Sequence, residues 1–209
     1  MNNLRRITLN DGGGIDFIDL ELPSGLLWGK CNLMAKKSYE YGYYFRWGDP
    51  NGRAYGNNST WSGINYSNTP AGQLGAYQNI PVDETYDAAR KILGYPWRMP
   101  TKQEWNELIN NTTNVVINNY KETGIKVCVA ISKINGNEII FPYNGRFWTD
   151  TNMNDVGSSV FLWSSSYAST NQNTTYATKI GASSSGLTGP SEWARKYWFG
   201  IRAVSSIRI

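Results

Sequence analysis

The chain lacks the residue on which many catalytic and metal sites depend. Its 209 residues include no histidine, which excludes a Ser-His-Asp or Cys-His catalytic system and a His-ligated zinc or iron site within this chain. The two cysteines, Cys31 and Cys128, lie far apart in sequence, and neither belongs to a CxxC pair. A redox dithiol or a thiolate metal site is therefore disfavoured, and two buried thiols are favoured over one disulfide.

Two carboxylates on one predicted helix, Glu104 and Glu107, raise the question of glycoside hydrolysis. That reaction needs two carboxyl groups about 5 to 10 Å apart. A capping box already accounts for Glu104, and Glu107 has the position of a surface residue. Hydrolysis is therefore the minority interpretation, and we predict that the protein is not an enzyme and has no catalytic residues.

The oxygen-rich segment TDTNMND is a candidate calcium ligand set. Its acidic and amide side chains alternate as they do at the start of a calcium-binding loop. An EF-hand loop also needs a glutamate at its twelfth position, where counting from Asp150 finds Phe161. A polar turn is the favoured interpretation, so we predict no cofactor and keep a weak calcium candidate made of Asp150, Asn152, Asn154 and Asp155.

Residues 167–196 combine small polar side chains with single aromatic and basic ones. This composition resembles an antibody paratope, in which rigid aromatic rings supply contact area and short polar groups adapt their hydrogen bonds. The same rings stack on sugars, so glycan and protein ligands are both compatible, and ordinary loop surface is the alternative. The predicted ligand-binding residues are Tyr167, Thr170, Asn171, Asn173, Thr175, Tyr176, Trp193, Arg195 and Lys196.

The elements that must position these residues include two helices in the middle of the chain. Residues 83–93 have a helical apolar period, with Asp83 as the N-cap and Gly94 as the stop. A second helix begins at Thr101, whose spacing to Glu104 is that of a capping box. The apolar stripe of this second helix is Trp105, Leu108 and Ile109.

Segments with the sequence pattern of strands precede and follow the two helices in the chain. Residues 125–131 and 137–141 flank Asn135-Gly136, a strong hairpin signal. The order of strands, two helices and strands predicts an α+β domain, with residues 39–79 as a long ordered loop. The other strand candidates are residues 15–22, 26–33, 160–166 and 197–204.

Composition narrows the partners. The 20 basic residues are dispersed among 16 acidic ones, giving a net charge of +4 without a basic patch, so we predict no nucleic-acid partner. No eighteen apolar residues run together, so we predict no membrane insertion. The aromatic fraction of 14% exceeds what a disordered chain would carry, which indicates a folded protein.

Six segments resemble one protein family. In order they are DLELPSGLLWGKCNL, YEYGYYFRWGD, YDAARKILGYPWRMPTKQEWNELI, NGNEIIFPYNG, LWSSSY and FGIRAV. They look like the Fibrobacter and Bacteroidetes major paralogous domain, a bacterial domain of C-type lectin fold that is distantly similar to the formylglycine-generating enzyme. The resemblance implies two helices flanking a small antiparallel sheet, with long loops. It implies one domain at residues 15–209 after an N-terminal extension at residues 1–14.

The family's motif residues have structural roles, and its activities do not carry over. Formylglycine-generating relatives bind copper through closely spaced cysteines, and iron-dependent relatives use histidines, neither of which this chain has. The Glu-Pro-Asn, Gln-Pro-Asp and Trp-Asn-Asp tripeptides of calcium-dependent lectins are also absent. In the family pattern Trp97, Arg98 and Pro100 would join the helices, Trp163 would fill the core, and Gly200 and Arg202 would close the domain.

Some phage and bacterial proteins of this fold are diversified by a retroelement that mutates template adenines before the closing G-x-R-x-V strand. Asn, Ser, Thr and Tyr are frequent products of such templates, and they dominate residues 167–196. No secretory signal follows Met1, which favours a virion component. We therefore expect a ligand-binding module of a phage tail or fibre, located in the virion or otherwise extracellular, that recognises a bacterial surface glycan or protein.

Two other functions are compatible with the same features. A structural virion protein, which decorates a capsid or joins tail parts, would turn its loops towards other virion proteins. A secreted, lectin-like adhesin of a gut bacterium would have a signal sequence upstream of Met1. A homotrimer would suit a fibre tip, because avidity multiplies weak single-site affinity.

Overall fold

The computed structural model is built mainly from antiparallel β-sheets. It describes residues 5–8, 14–56, 79–148, 151–168 and 176–207. Of these residues, 42% are in strands and 11% are helical. The expected α+β class, a C-type lectin fold with two helices flanking one small sheet, is therefore wrong. The described residues form five small sheets and two short helices instead, because segments predicted as loops pair as strands.

The elements have the following bounds. In chain order the strands are β1 (Arg5–Thr8), β2 (Gly14–Asp19), β3 (Leu27–Asn32), β4 (Tyr43–Tyr44), β5 (Arg53–Ala54), β6 (Thr112–Ile117), β7 (Val127–Ser132), β8 (Glu138–Pro142), β9 (Arg146–Phe147), β10 (Met153–Asn154), β11 (Val160–Tyr167), β12 (Tyr176–Ser183), β13 (Gly186–Ala194) and β14 (Arg202–Ser205). The helices are α1 (Ala88–Leu93) and α2 (Lys102–Asn110), and a 3-10 turn covers Tyr120–Glu122.

Three sheets contain most of the strands. The first has the order β1-β2-β3-β14, the second β6-β7-β8 and the third β11-β12-β13. Strands β4 and β5 form one two-stranded ribbon, and β9 and β10 form another. Strand β14 pairs with β3, so the first sheet joins the two ends of the described chain.

The predicted hairpin at Asn135-Gly136 is confirmed. Strands β7 and β8 pair antiparallel across it, with Val129 opposite Ile140. Gly136 has φ +74°, a left-handed conformation that glycine adopts at low cost. Strand β6, which no sequence pattern predicted, completes this sheet by pairing with β7.

The prediction of loops throughout residues 167–196 is wrong for most of the described part. Strand β12 pairs with both β11 and β13, and a short turn before Gly186 joins the two new strands. Gly, Pro and Ala are depleted in strands, and these two segments contain all three. The fully buried strand β11 provides the template for pairing, and α2 contacts β13 from the side.

The centre of the first sheet is buried on both faces. Successive side chains of a strand point to opposite faces. On β3, Leu27 packs in one core cluster with Trp163, and Trp28 packs in a second cluster with Trp105, 4.8 Å away between ring centroids. This two-sided burial explains the continuous apolar run LLW, which a half-exposed strand would not have.

Helix α1 is shorter than predicted. It begins after Asp87 and not at Asp83, and it ends as predicted at Gly94. The buried carboxylate of Asp87 accepts hydrogen bonds from Ala89 N and Arg90 N in the helix and from Met99 N beyond it. Asp83 instead closes a turn before the helix. Asp87 is the N-cap because its carboxylate also binds the strand-like segment that follows.

Helix α2 begins as predicted. The Thr101 hydroxyl accepts from Glu104 N, and the Glu104 carboxylate accepts from Thr101 N, so the capping box is confirmed. The same carboxylate binds both terminal nitrogens of Arg98, at 2.6 and 2.8 Å. Backbone hydrogen bonds between Arg98 and Val204 then tie the segment between the helices to β14.

The buried Arg202 side chain joins the first two sheets. Its guanidinium donates to Asn32 Oδ1, to the carbonyls of Gly29 and Lys30 on β3, and to the carbonyl of Ile140 on β8. Burial lowers the pKa of Arg202 to about 10, so the group is still charged at neutral pH. This agrees with its expected role in closing the fold.

Among the described residues, neither helix is long and apolar enough to cross a membrane.

Candidate ligand-binding surface

Three chain segments converge beside β11, the edge strand of the third sheet. An isolated bridge pairs Phe45 with Phe199, and another pairs Phe147 with Trp198. Residues 195–199, which follow β13, therefore lie between the β4 segment and β9. Because these segments are rich in aromatic and arginine residues, their junction places rings and guanidinium groups together.

Arg146 is held in place by its neighbours in sequence. The buried Asn144 side chain exchanges two hydrogen bonds with the backbone of Phe161 on β11, at 3.0 and 3.1 Å. Gly145 has φ +61°, and a Cβ there would lie 2.4 Å from Asn154 O. Only glycine fits this close approach, which constrains the backbone of the β8–β9 connection directly before Arg146.

The guanidinium of Arg146 lies among four aromatic rings. Its central carbon is 4.3 Å from the ring of Trp193, 4.6 Å from Phe161 and 4.7 Å from Trp148. Asp155 supplies a carboxylate 3.0 Å from Nε. Burial lowers the pKa of Arg146, and the nearby Asp155 charge partly offsets this effect. The rings thus take the place of water around a charged group.

Trp148 presents one face of its indole to solvent. Tyr197 stacks on it at 4.7 Å between centroids, and the Arg146 guanidinium also lies 4.7 Å away. If these two groups covered opposite faces, they would be about twice that distance apart, yet Arg146 is only 5.8 Å from the Tyr197 ring. They therefore lie on the same side of the indole. Trp148 is 46% exposed, and we infer that the other side of the indole provides this exposure.

We call this arrangement the Trp148 surface. Its rings pack in series, with Trp193 edge-on to Tyr197 at 5.8 Å and to Phe161 at 5.7 Å. A ring fixed in this way loses little conformational entropy when a ligand binds. Its members are Arg146, Trp148, Asp155, Trp193 and Tyr197.

A second cation and its rings lie beside this surface. The buried Arg195 guanidinium is 4.9 Å from the Trp47 ring and 5.0 Å from the Tyr167 ring. Its Nε and Nη2 have no hydrogen-bond partner among the described residues. Burial lowers the pKa of Arg195, and a hydrogen bond with Tyr167 acts in the opposite direction. Arg195 thus helps to fix the rings of Trp47 and Tyr167.

The structure brings together part of the predicted ligand-binding set. Tyr167 and Trp193 are half-buried among the core rings, Arg195 is buried, and Lys196 is exposed with its ammonium 5.5 Å from the Tyr197 ring. Tyr176 begins β12, and its side chain is not described. The predicted residues Thr170, Asn171, Asn173 and Thr175 lie outside the described residues.

Sequence reasoning missed Arg146, Trp148 and Tyr197. The available signal was a basic residue, Arg146, and an aromatic residue, Trp148, shortly after the turn residues Asn144-Gly145. That signal gained meaning only through contact with residues 193–199, about fifty positions later in the chain.

The weak calcium candidate has other partners where it is described. Asp155 pairs with Arg146, Asn154 belongs to β10, Asn152 is exposed, and Asp150 lies outside the described residues. No cluster of three or more His, Cys, Asp or Glu side chains occurs in the described ranges.

The two carboxylates considered for hydrolysis are both engaged in local structure. Burial acts to raise the pKa of Glu104, but the hydrogen bonds from Arg98 and Thr101 outweigh it and hold the pKa below its usual value. Glu107 accepts hydrogen bonds from Ser24 N and Ser24 Oγ. Both side chains therefore fasten α2 to its neighbours.

The cysteines are separate thiols. Cys31 is half-buried, Cys128 is buried, and both are free. Burial raises the pKa of Cys128 to about 11 and also raises that of Cys31. Thiols held in this protonated form are weak nucleophiles.

Comparisons with protein-family models, with curated proteins and with solved structures found no match to this chain. What the fold and the site define is a β-rich scaffold that carries a rigid, half-exposed aromatic surface.

Proposed function

We propose that this protein is a non-catalytic binding module and that its Trp148 surface recognises a glycan on a bacterial surface. The observation that carries the proposal is the open indole face of Trp148, which Tyr197 and Arg146 support from the other side. A pyranose packs its C–H groups on such a face because the ring face is apolar and carries partial negative charge.

Polar groups around the indole supply the remaining requirements of sugar binding. The Asp155 carboxylate, with its side chain 35% exposed, accepts hydrogen bonds from hydroxyl groups. The exposed Lys196 ammonium donates them from the next segment. A flat apolar face bordered by a few polar groups is the usual composition of a small-ligand site.

The biological setting belongs to the same proposal. The Asn, Ser, Thr and Tyr content of residues 167–196 supports a module with adaptable contacts, as in retroelement-diversified phage proteins. We therefore propose a receptor-binding part of a phage tail or fibre, which acts from the virion and attaches it to the host. Repetition of the module, for example in a homotrimer, would multiply a weak single-site affinity.

The test compares wild type with Trp148→Ala on a glycan array and on a panel of gut Bacteroides cells, with and without EDTA. We expect saturable binding by wild type and at least tenfold weaker binding by Trp148→Ala, because the stacking face is lost. EDTA should have no effect, since we propose no metal. Tyr95→Ala is the matched control, because Tyr95 is a 71% exposed ring outside the Trp148 surface.

Other outcomes assign other functions. Binding to cells that is abolished by protease treatment, without a signal on the array, would indicate a protein receptor. Equal binding by wild type and Trp148→Ala would overturn the site assignment. If folded protein bound neither glycans nor cells, a structural role in the virion would replace receptor binding.

A further inference from the structure

A separate pocket of about 520 Å³ lies where the first sheet meets the second. This volume is within the range of about 300 to 1,000 Å³ that small-molecule sites have. Phe17 on β2 and Ile140 on β8 give it an apolar floor. Two turns form its walls, and their tyrosines, Tyr39 and Tyr120, approach each other to 6.0 Å between ring centroids.

Positive charge dominates the pocket lining. Glu138 is the carboxylate among the lining residues, and four lysines accompany it. Lys30 pairs with Asp16 at 3.2 Å outside the pocket, and the other three lysines are exposed. An anion is therefore the complementary ligand. The four lysines are Lys30, Lys36, Lys37 and Lys121.

The first wall of the pocket is the turn that contains Lys36, Lys37 and Tyr39. The Glu40 carboxylate, which does not line the pocket, fixes this turn. Glu40 accepts hydrogen bonds from Lys36 N at 2.8 Å and from Lys37 N at 3.2 Å. The Lys37 ammonium lies 5.7 Å from the Tyr39 ring centroid, and its hydrogen bond with the Tyr39 phenol raises the pKa of Lys37. The loop thus fixes the backbone of both lysines and holds the Lys37 ammonium beside the Tyr39 ring.

The second wall is a strained turn. Lys121 and Glu122 have φ +47° and +61°, which is the left-handed region that favours glycine. Hydrogen bonds from Tyr120 N to Ile125 O and from Gly124 N to Asn119 Oδ1 hold the turn in this form. Lys121 consequently places its ammonium 5.3 Å from the Tyr120 ring. Strain that is maintained in this way is a feature of preorganised sites.

We propose that this pocket binds an acidic sugar, that is, a pyranose bearing a carboxylate or a phosphate group. The anionic group lies among the ammonium groups of Lys36, Lys37 and Lys121, and the sugar ring packs against the two tyrosines. Ser38 and Asn137, which also line the pocket, supply hydrogen bonds to hydroxyl groups. The small volume excludes an extended macromolecule from the pocket itself.

This inference does not rest on the function proposed for the Trp148 surface. The two sites share no residue, since the pocket is lined by β2, β3, β8 and two turns. Variants of one site therefore test it without changing the other.

The experiment measures binding by isothermal titration calorimetry at low salt. The probes are trigalacturonate and glucose 6-phosphate, with galactotriose and glucose as their neutral counterparts and inorganic phosphate as the bare anion. The variants are Lys37→Gln/Lys121→Gln and, as a charge-matched control on exposed lysines elsewhere, Lys91→Gln/Lys133→Gln.

We expect wild type and the control variant to bind at least one acidic sugar, and the pocket variant to bind it at least tenfold more weakly. Wild type should bind the neutral sugars no more tightly than the pocket variant binds the acidic sugar. Wild type should also bind inorganic phosphate more weakly than the sugar phosphate. The carboxylate and phosphate arms identify which acidic group is preferred. Equal affinity of the pocket variant, equal binding of neutral sugars, or absence of binding to both acidic sugars would overturn the proposal.

Discussion

Arginines at two places in this protein have different surroundings. Arg202, between the first two sheets, donates to Asn32 and to three backbone carbonyls. Arg146 and Arg195, beside the third sheet, lie on aromatic rings. Arg146 also pairs with Asp155, whereas Arg146 Nη1 and Arg195 Nε and Nη2 have no hydrogen-bond partner among the described residues. The same side chain is a polar connector in one region and a support for rings in the other.

This difference distinguishes the framework of the fold, around Arg202, from the binding surface, around Arg146 and Arg195. A fully hydrogen-bonded charge in the interior specifies one arrangement of the sheets around it. A cation that stacks on rings fixes the orientation of those rings but leaves their outer faces available, as at Trp148. We infer that stability depends mainly on the first region and recognition on the second.

The largest effect on stability is expected at Arg202. Arg202→Met would leave Asn32 and the carbonyls of Gly29, Lys30 and Ile140 buried without donors. Each such group costs about 1 to 3 kcal/mol, so for four groups we expect a total loss of about 4 kcal/mol or more in the free energy of unfolding. Urea denaturation measures it. A loss below about 1 kcal/mol would contradict the role of Arg202 as the connector.

The Arg98–Glu104 pair extends the framework and gives it a pH dependence. The pKa of Glu104 is lower in the folded state than its ordinary value of 4.5, so its contribution is complete above that pH and is lost as pH falls through the folded pKa. We expect Glu104→Gln to cost about 1 to 2 kcal/mol at neutral pH. The difference from wild type should shrink below pH 4.5 in acid titrations of stability; a constant difference would show that hydrogen bonding alone, not charge, stabilises the pair.

Arg195→Met should have a smaller effect than Arg202→Met. It removes the stacking on Trp47 and Tyr167, worth about 0.5 to 2 kcal/mol. It also removes the cost of burying a charge whose Nε and Nη2 have no hydrogen-bond partner in the described part of the chain. We expect a net loss of about 1 kcal/mol or less by urea denaturation. Equal losses at Arg195 and Arg202 would remove the distinction between the two regions.

The smallest effect on stability is expected at Trp148. Its indole is 46% exposed and rests on Tyr197 from one side, so Trp148→Ala should change the free energy of unfolding by only about 0.5 kcal/mol. The same variant should lose most of the glycan binding. A thermal melt that showed strong destabilisation would identify Trp148 as part of the framework.

Local signals predicted several elements correctly because their causes are local. The Thr101–Glu104 capping box and the Asn135-Gly136 hairpin each involve groups within a few residues of one another. The predicted start of α1 was wrong because both Asp83 and Asp87 can serve as the N-cap. Asp87 takes this role because its carboxylate also accepts a hydrogen bond from Met99 N, twelve residues away. Distant contacts of this kind leave no pattern in a short window of sequence.

The α+β prediction was wrong for the same reason. Residues 176–194 have a composition typical of loops, yet they pair into β12 and β13. Strand propensity depends on the neighbours that a strand meets. Here the partner is β11, whose buried run VFLWSSS was predicted from sequence, but a sequence pattern does not say what will pair with its edges.

The sequence by itself determined that histidine chemistry is excluded, where α2 begins and where the turn of the β7–β8 hairpin lies. Tertiary structure alone decided which aromatic rings would be exposed. Trp148 and Tyr197 are far apart in the chain, and they meet because the bridge between Phe147 and Trp198 aligns their segments. A surface made by such a pairing depends on long-range backbone hydrogen bonds, which no single segment encodes.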